Sequence, residues 1–583
     1  MCGIAAILAG SSASVPVDGG ELLRMRERMI ARGPDGAGLW LSPHGLVGLA
    51  HRRLAILDLS EAGAQPMASE CGRFRLVFNG EIYNHRELRA GLEAEGARFR
   101  SHSDTEVILA LYARRGRAML DSLRGMFAIA LWDEEKQGLL LARDHFGIKP
   151  LYVADDGRTL RAASQVKALL AGGGIGTAPD PAGHAGFFLW GHVPEPHTLY
   201  RAIRPLPAGS WLWAGADGRR DEGRFFDFRR ELADARAGQG DLRAALAESV
   251  RLHLEADVPV GVFLSAGLDS TTLAALAREA APLAPRTVTL GFAEFEGSAR
   301  DEVPLAELVA AHYGTDHQTH RVTGAEFAAC RDRILEDMDQ PSVDGVNTWF
   351  VARAAARAGL KVALSGLGGD ELFAGYNDFT AIPKLVRTFR PFQALPGLGR
   401  LLRQAARPWI GRVTSPKAAG LAEYGGQWAG AYLLRRGLVM PWELDKVLDP
   451  DMARAGLDAL APLTALGAAS DGIGSDRLKI TALETAFYMR NQLLRDSDWA
   501  GMAHSLEIRT PLVDIGLFRA VLPLIMGADP PGKRQMACSA RPPLPAPVME
   551  RAKTGFFVPV AQWLGEKDLR GWAGRVYRAF GQP

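Results

Sequence analysis

Met1-Cys2-Gly3-Ile4 opens the chain, so loss of the initiator leaves a cysteine as the first residue. That residue then carries both a nucleophilic thiol and a free α-amine, with reference pKa values near 8.5 and about 7.7–8.0. Near neutral pH the amine can take the thiol proton in place of a histidine. The plain alternative is a small residue tolerated at position 2. The polar residues downstream weigh against it.

A second grouping points to phosphate. The apolar run Val260 to Leu264 leads into Ser265-Ala266-Gly267-Leu268-Asp269-Ser270 and then a helical pattern from Thr271 to Ala280. Gly267 permits close backbone approach, Ser265, Ser270 and Thr271 carry hydroxyls, and the first helical turn presents unpaired amides. Asp269 can hold a magnesium ion bridging phosphates. The Walker lysine is missing, and a serine-capped helix is the simpler alternative. Val362-Ala363-Leu364 running into Ser365-Gly366-Leu367-Gly368-Gly369-Asp370-Glu371 repeats the pattern and weakens that alternative. Asp269 and Asp370, at the carboxyl ends of two parallel strands, can share one magnesium ion where open sheets bind ligands. Otherwise the two carboxylates would repel each other. Asp301-Glu302, after a third strand candidate, reads better as a solvated loop.

The elements that must hold these groups need at least two domains, since 583 residues exceed what one core usually supports. An apolar fraction of 47% and a charged fraction of 23% describe an ordinary soluble globular protein. A net charge of +2 argues against a nucleic-acid partner. Four scattered cysteines make neither a disulfide framework nor a zinc site. No apolar run is long enough to span a membrane and the start lacks a secretory pattern, so the cytoplasm is expected.

Short strands are expected at Ile4–Leu8, Leu46–Ala50, Phe74–Phe78, Phe127–Trp132 and Leu139–Ala142. Helices are expected at Gly20–Ile30, Asp104–Arg114 and Ser164–Leu170, the second capped by Asp104. The glycines at 172–174 and the prolines from Pro179 to Pro207 read as a long connector. Beyond it, strands at 260–264, 288–292 and 362–364 separated by helices predict a parallel sheet covered on both faces. Residues 380–470 read as helical.

Six ordered motifs give the chain a family resemblance. They are Met1 to Ile4, Arg32-Gly33-Pro34-Asp35, His51-Arg52-Arg53-Leu54, Asn79-Gly80-Glu81-Ile82-Tyr83-Asn84, Ser103 to Glu106 and Arg143 to Tyr152. With the two glycine turns and the segment Met502 to Pro511, they resemble the glutamine-dependent asparagine synthetases over nearly the whole chain. The resemblance implies an N-terminal-nucleophile αββα sandwich over 2–205, a connector over 206–240, and an ATP-pyrophosphatase domain over 241–583. The latter is a doubly wound parallel sheet with helical additions.

By that resemblance Cys2 attacks the glutamine side-chain amide, and Asn79 with the Gly80 amide forms the oxyanion hole. Arg53 holds the glutamine α-carboxylate through its bidentate fork and Asp104 the α-ammonium. A plain salt bridge is the alternative for those two. Leu264 and Leu290 are implied to line adenosine, residues 265–270 the pyrophosphate, and Ser365-Gly366 the turn beside the nucleotide. Asp496 matches a family signature. Lys553, in Arg551-Ala552-Lys553-Thr554-Gly555-Phe556, is implied to stabilise developing phosphate charge, with an ordinary surface lysine as the alternative.

The match breaks in three places. Ala266 replaces the usual first glycine of the phosphate loop, which is tolerable only if its φ is negative. Leu367 stands where asparagine synthetases commonly carry a glutamate near the activated acceptor. Residues 340–348 differ from those of aspartate-using members, although Asp344, Asn347 and Thr348 can bond a polar acceptor or simply cap a loop.

The expected function is glutamine-driven amidation of a carboxylate by ATP and Mg2+ through an acyl-adenylate. L-aspartate is the first acceptor, and a uronic acid of a surface polysaccharide or a biosynthetic intermediate is the alternative. A lactam-forming branch, a non-enzymatic scaffold and a nucleic-acid-modifying enzyme fit less well. The oligomeric state is open, with a homodimer considered.

Overall fold

The computed structural model describes residues 2–10, 16–394, 397–413, 415–551, 558–566 and 568–581. Its first strand, Gly3–Ala9, is buried at every position because both faces are covered. Ile4, Ala6 and Leu8 share a core with Val77, Ala130 and Leu141 of a second sheet. Ala5 and Ile7 face the other way and pack with Leu22, Met25, Val166 and Leu169 of two helices. The continuous apolar run thus reflects burial on both sides.

The first sheet has six antiparallel strands in the order 204–205, 152–155, 159–163, 3–9, 47–53 and 36–41. The second, also antiparallel, runs 220–224, 210–215, 138–143, 125–133, 74–82 and 67–68. Its outer face carries Phe78, Ile129 and Leu140 against Val107, Ile108 and Leu111 of the helix Asp104–Arg115. Helix, sheet, sheet, helix is the expected sandwich.

Three local expectations change. Ser103, not Asp104, caps the helix Asp104–Arg115, its Oγ accepting Thr105 N at 3.2 Å, and Asp104 is the first helical residue. The stretch read as a connector from 172 to 207 contains the helix Pro181–Trp190, buried from Ala182 onward. The stretch 206–240 contains strands Ser210–Gly215 and Arg220–Arg224, which pair into the second sheet beside Gly138–Arg143.

The later part of the chain builds a five-stranded, wholly parallel sheet in the order 316–322, 286–292, 260–263, 362–364 and 507–509. One face packs Val262 and Leu364 with Leu273, Ala277 and Val309, and the other packs Val288, Ala363 and Ile508 with Ala352 and Ala355. The sheet is therefore doubly wound. Val262 lies opposite Leu364, so the two glycine turns leave the sheet side by side. Residues 378–470 are mainly helical, as expected. Among the described residues no helix is long and apolar enough to cross a membrane.

Candidate active sites

Cys2 lines a cleft together with Arg53, Gly80, Ser103 and Asp104. Its backbone nitrogen donates to Asn79 Oδ1 at 2.9 Å. That bond orients the amide, and Asn79 Nδ2, fully buried, has no partner among the described residues. Burying an unpaired amide N–H costs stability, so this donor is free to receive an acceptor atom brought into the cleft. Gly80 has φ +156°, and a Cβ there would meet Met126 O at 2.0 Å, so glycine alone fits at this position of the strand lining the cleft.

Arg53 is braced from behind by backbone carbonyls, donating to Ser60 O at 2.8 Å and to Asp58 O. Asp58 itself holds a left-handed φ of +52°. Asp104 accepts Ile82 N at 2.9 Å, and burial raises its pKa, a shift that a ligand ammonium would oppose. Burial also pushes the Cys2 thiol above its usual value. His51 contacts Phe78 O at 3.2 Å and is held to about 3 by burial, so it is neutral near pH 7.

The phosphate loop is self-braced. Ser270 Oγ lies 2.9 Å from Ser265 Oγ and accepts Ser265 N at 3.1 Å, while Thr271 Oγ1 donates to Gly267 O at 2.8 Å. No side chain caps the helix Leu268–Ala280, so its first-turn amides are the groups offered to an anion. Ala266 is not among the residues with positive φ, so its methyl group is tolerated. Leu264 and Leu290, 3% and 6% exposed, lie at the carboxyl ends of neighbouring strands.

The two turns meet at Asp269. A Cβ on Gly366 would lie 2.9 Å from Asp269 Cβ, and one on Gly369 2.4 Å from Asp269 Oδ1. Lys533 bridges Asp269 and Asp370, with its Nζ 2.9 Å from Asp370 Oδ1. Burial opposes its charge, but the two carboxylates more than offset that and raise its pKa. The sequence reading missed this lysine. Two acidic turns lacking a counter-charge were the signal for it. Lys553 lies outside the described residues. Asp269, Asp370 and the uncapped helix start suit a magnesium–nucleotide, because Mg2+ usually takes one or two carboxylates and fills its shell with water and phosphate.

Two family models divide the chain between them: a glutamine amidotransferase domain over residues 1–226 and asparagine synthase over 241–579. The chain belongs to the asparagine synthetase family. Asparagine synthetase 1 of Bacillus subtilis is 31% identical over 99% of this chain and 90% of its own length. Asparagine synthetase B of Escherichia coli is 36% identical over 62% of each chain. Amidase chry2 of Gibberella zeae is 32% identical over 65% of this chain and 60% of its own. Like other members of the family, the protein is an ATP-dependent, glutamine-hydrolysing ligase.

On the side that the sequence assigns to the acceptor, Leu367 is half-buried in the second turn. Asn347 Oδ1 accepts Thr348 N at 2.8 Å and Asp344 Oδ1 accepts Gly345 N at 2.9 Å, so both residues take part in local loop bonding. Asp496 accepts Ser342 Oγ at 2.8 Å and Trp499 Nε1 at 2.7 Å. Burial, reinforced by Asp344, pushes Asp496 up to about 8. Glu371, which accepts the Tyr376 hydroxyl at 3.0 Å, is raised to about 7 by burial and by Asp370.

Proposed function

We propose that the protein makes L-asparagine from L-aspartate, with glutamine as the nitrogen source and ATP as the activating substrate. The Cys2 thiolate adds to the glutamine side-chain carbonyl, and the developing oxyanion is received by Asn79 Nδ2 and the Gly80 amide. The α-amine of residue 2 passes the former thiol proton to the leaving nitrogen, so collapse expels ammonia and leaves a γ-glutamyl thioester that water hydrolyses to glutamate. In the second domain the aspartate side-chain carboxylate attacks the α-phosphorus of ATP and pyrophosphate leaves. Ammonia then displaces AMP from the acyl carbon. Asp269 and Asp370 would hold Mg2+, which neutralises phosphate charge, and Lys533 adds a fixed cation. An enclosed passage keeps ammonia unprotonated, since ammonium cannot attack.

The observation that carries this reading is the meeting of Asp269, Asp370 and Lys533 at one uncapped helix start, in a chain that also holds the Cys2 cleft. The second reading is amidation of another carboxylate, such as a uronic acid. Leu367 favours it, because leucine can neither orient a charged group nor accept a proton.

The deciding assay is pyrophosphate release from magnesium–ATP and ammonia, with and without L-aspartate, with the product weighed by mass spectrometry. Stoichiometric asparagine supports the first reading. Glutamine hydrolysis and nucleotide binding without aspartate-dependent pyrophosphate would transfer the assignment to another acceptor. Cys2→Ala should abolish glutamine-driven synthesis and keep ammonia-driven synthesis.

A further inference from the structure

Cys2 is held at both ends of its backbone. Its nitrogen is bonded to Asn79, and its carbonyl accepts Arg32 Nε at 3.0 Å. Arg32 is 1% exposed, on the short turn Ile30–Arg32. The rest of its guanidinium crosses to the other domain. Nη1 donates to Asp498 Oδ2 at 2.6 Å and Nη2 to Asp498 Oδ1 at 2.9 Å. Asp498, 5% exposed, is fixed on the helix Arg495–Met502, 466 residues away in sequence. Close by, Ser505 Oγ donates to Ala31 O at 2.7 Å, so the turn bearing Arg32 is gripped at two points by the synthetase domain.

A buried guanidinium keeps its place only while its charge is matched, and a bidentate carboxylate fixes its plane as well as its position. With the nitrogen and carbonyl of Cys2 both pinned, the thiol has little freedom beyond rotation about χ1. That restriction favours near-attack geometry, where small displacements are costly. The glutaminase domain supplies Arg32 but has its partner in the other domain.

We propose that Asp498 is a positioning residue for glutamine hydrolysis, supplied by the synthetase domain, which holds Arg32 against the Cys2 carbonyl. The nucleophile's site is therefore completed only when the two domains are docked. This inference rests on the glutaminase half of the proposed function and is independent of the acceptor.

The test uses the full-length enzyme carrying Asp498→Asn, with glutamate formation measured in the absence of any acceptor. The kcat for glutamine hydrolysis should fall at least tenfold. The KM should change less than about twofold, because Arg53 and Asp104 are untouched. Magnesium–ATP binding, read by calorimetry, should stay within about twofold, and Asp498→Glu should recover part of kcat. Unchanged kcat in Asp498→Asn would overturn the proposal, as would a KM rise that accounts for the whole loss. If Asp498→Asn fails to fold, Arg32→Lys keeps the positive charge but cannot bond Asp498 twice and reach Cys2 as well. Its glutaminase kcat should fall with ATP binding intact, and a normal kcat there would equally overturn the proposal. Absence of asparagine synthesis in the parent enzyme would count against the acceptor assignment and leave this test unaffected.

Discussion

Asn79 is placed for two jobs: its oxygen accepts the nitrogen of Cys2, and its buried, unpartnered nitrogen is the donor we propose for the oxyanion. Removing one such donor typically costs about 10²–10³-fold in kcat. Asn79→Ala should show a kcat loss of that order with KM for glutamine little changed, while Arg53→Lys should raise KM instead. Steady-state glutaminase kinetics separate the two. The raised Cys2 pKa adds a pH dependence. Burial favours the neutral thiol, so the thiolate fraction is small at pH 7 and grows as pH rises through the elevated value. Iodoacetamide should alkylate Cys2 faster at each step from pH 7 to 9.5. A rate independent of pH would mean the thiolate already dominates.

At the scale of elements, the two strand–turn–helix units depend on glycine where they touch. A methyl on Gly369 would meet Asp269 Oδ1 at 2.4 Å, and the backbone there has little room to retreat because Gly368 is held in the left-handed region at φ +89°. Gly369→Ala should therefore displace Asp269 and abolish pyrophosphate release, while acceptor-independent glutamine hydrolysis continues. Equal activity in both assays would show that the two turns are not mutually fixed.

The strands that follow Cys2, lead up to Asn79 and lead into the phosphate loop were legible because each combines an apolar run with a flanking glycine or polar turn, although the second runs on through Asn79 to Ile82. The helix Pro181–Trp190 was not legible. The glycines at 172–174 and the prolines from Pro179 to Pro207 read as a connector, yet Pro181 opens the helix, and a Cβ on Gly183 would lie 1.8 Å from Thr198 O, so that glycine is there for close packing. Arg220–Arg224 was also missed, as a highly charged run whose strand conformation comes from pairing with Ser210–Gly215.

Across the whole molecule, the domains are joined by buried polar contacts as well as apolar packing. Asp339 of the synthetase domain accepts Val166 N at 2.9 Å and Lys167 N at 3.0 Å, capping a helix of the glutaminase domain. Losing such a cap costs about 0.5–2 kcal/mol. Asp339→Ala should lower the thermal midpoint by a few degrees and speed proteolysis between the domains, with calorimetry and limited digestion as the readouts. Arg124 with Asp514 and Lys361 with Asp35, at 2.6 and 2.8 Å, tie the same interface.

The sequence by itself determined the chemistry on offer: a thiol at position 2, two glycine turns with an aspartate each, and the parallel sheet that carries the turns, while the sandwich came from the family resemblance. Local patterning suffices for the turns and their sheet because strand, turn and helix each leave their mark within a few residues. The tertiary structure alone decided which charges face one another. Lys533 between Asp269 and Asp370, Asp339 on the helix at 166, and Asp498 on Arg32 are pairings across hundreds of residues. No periodicity records them, because a buried charge is satisfied by whichever opposite charge the folded chain brings to it.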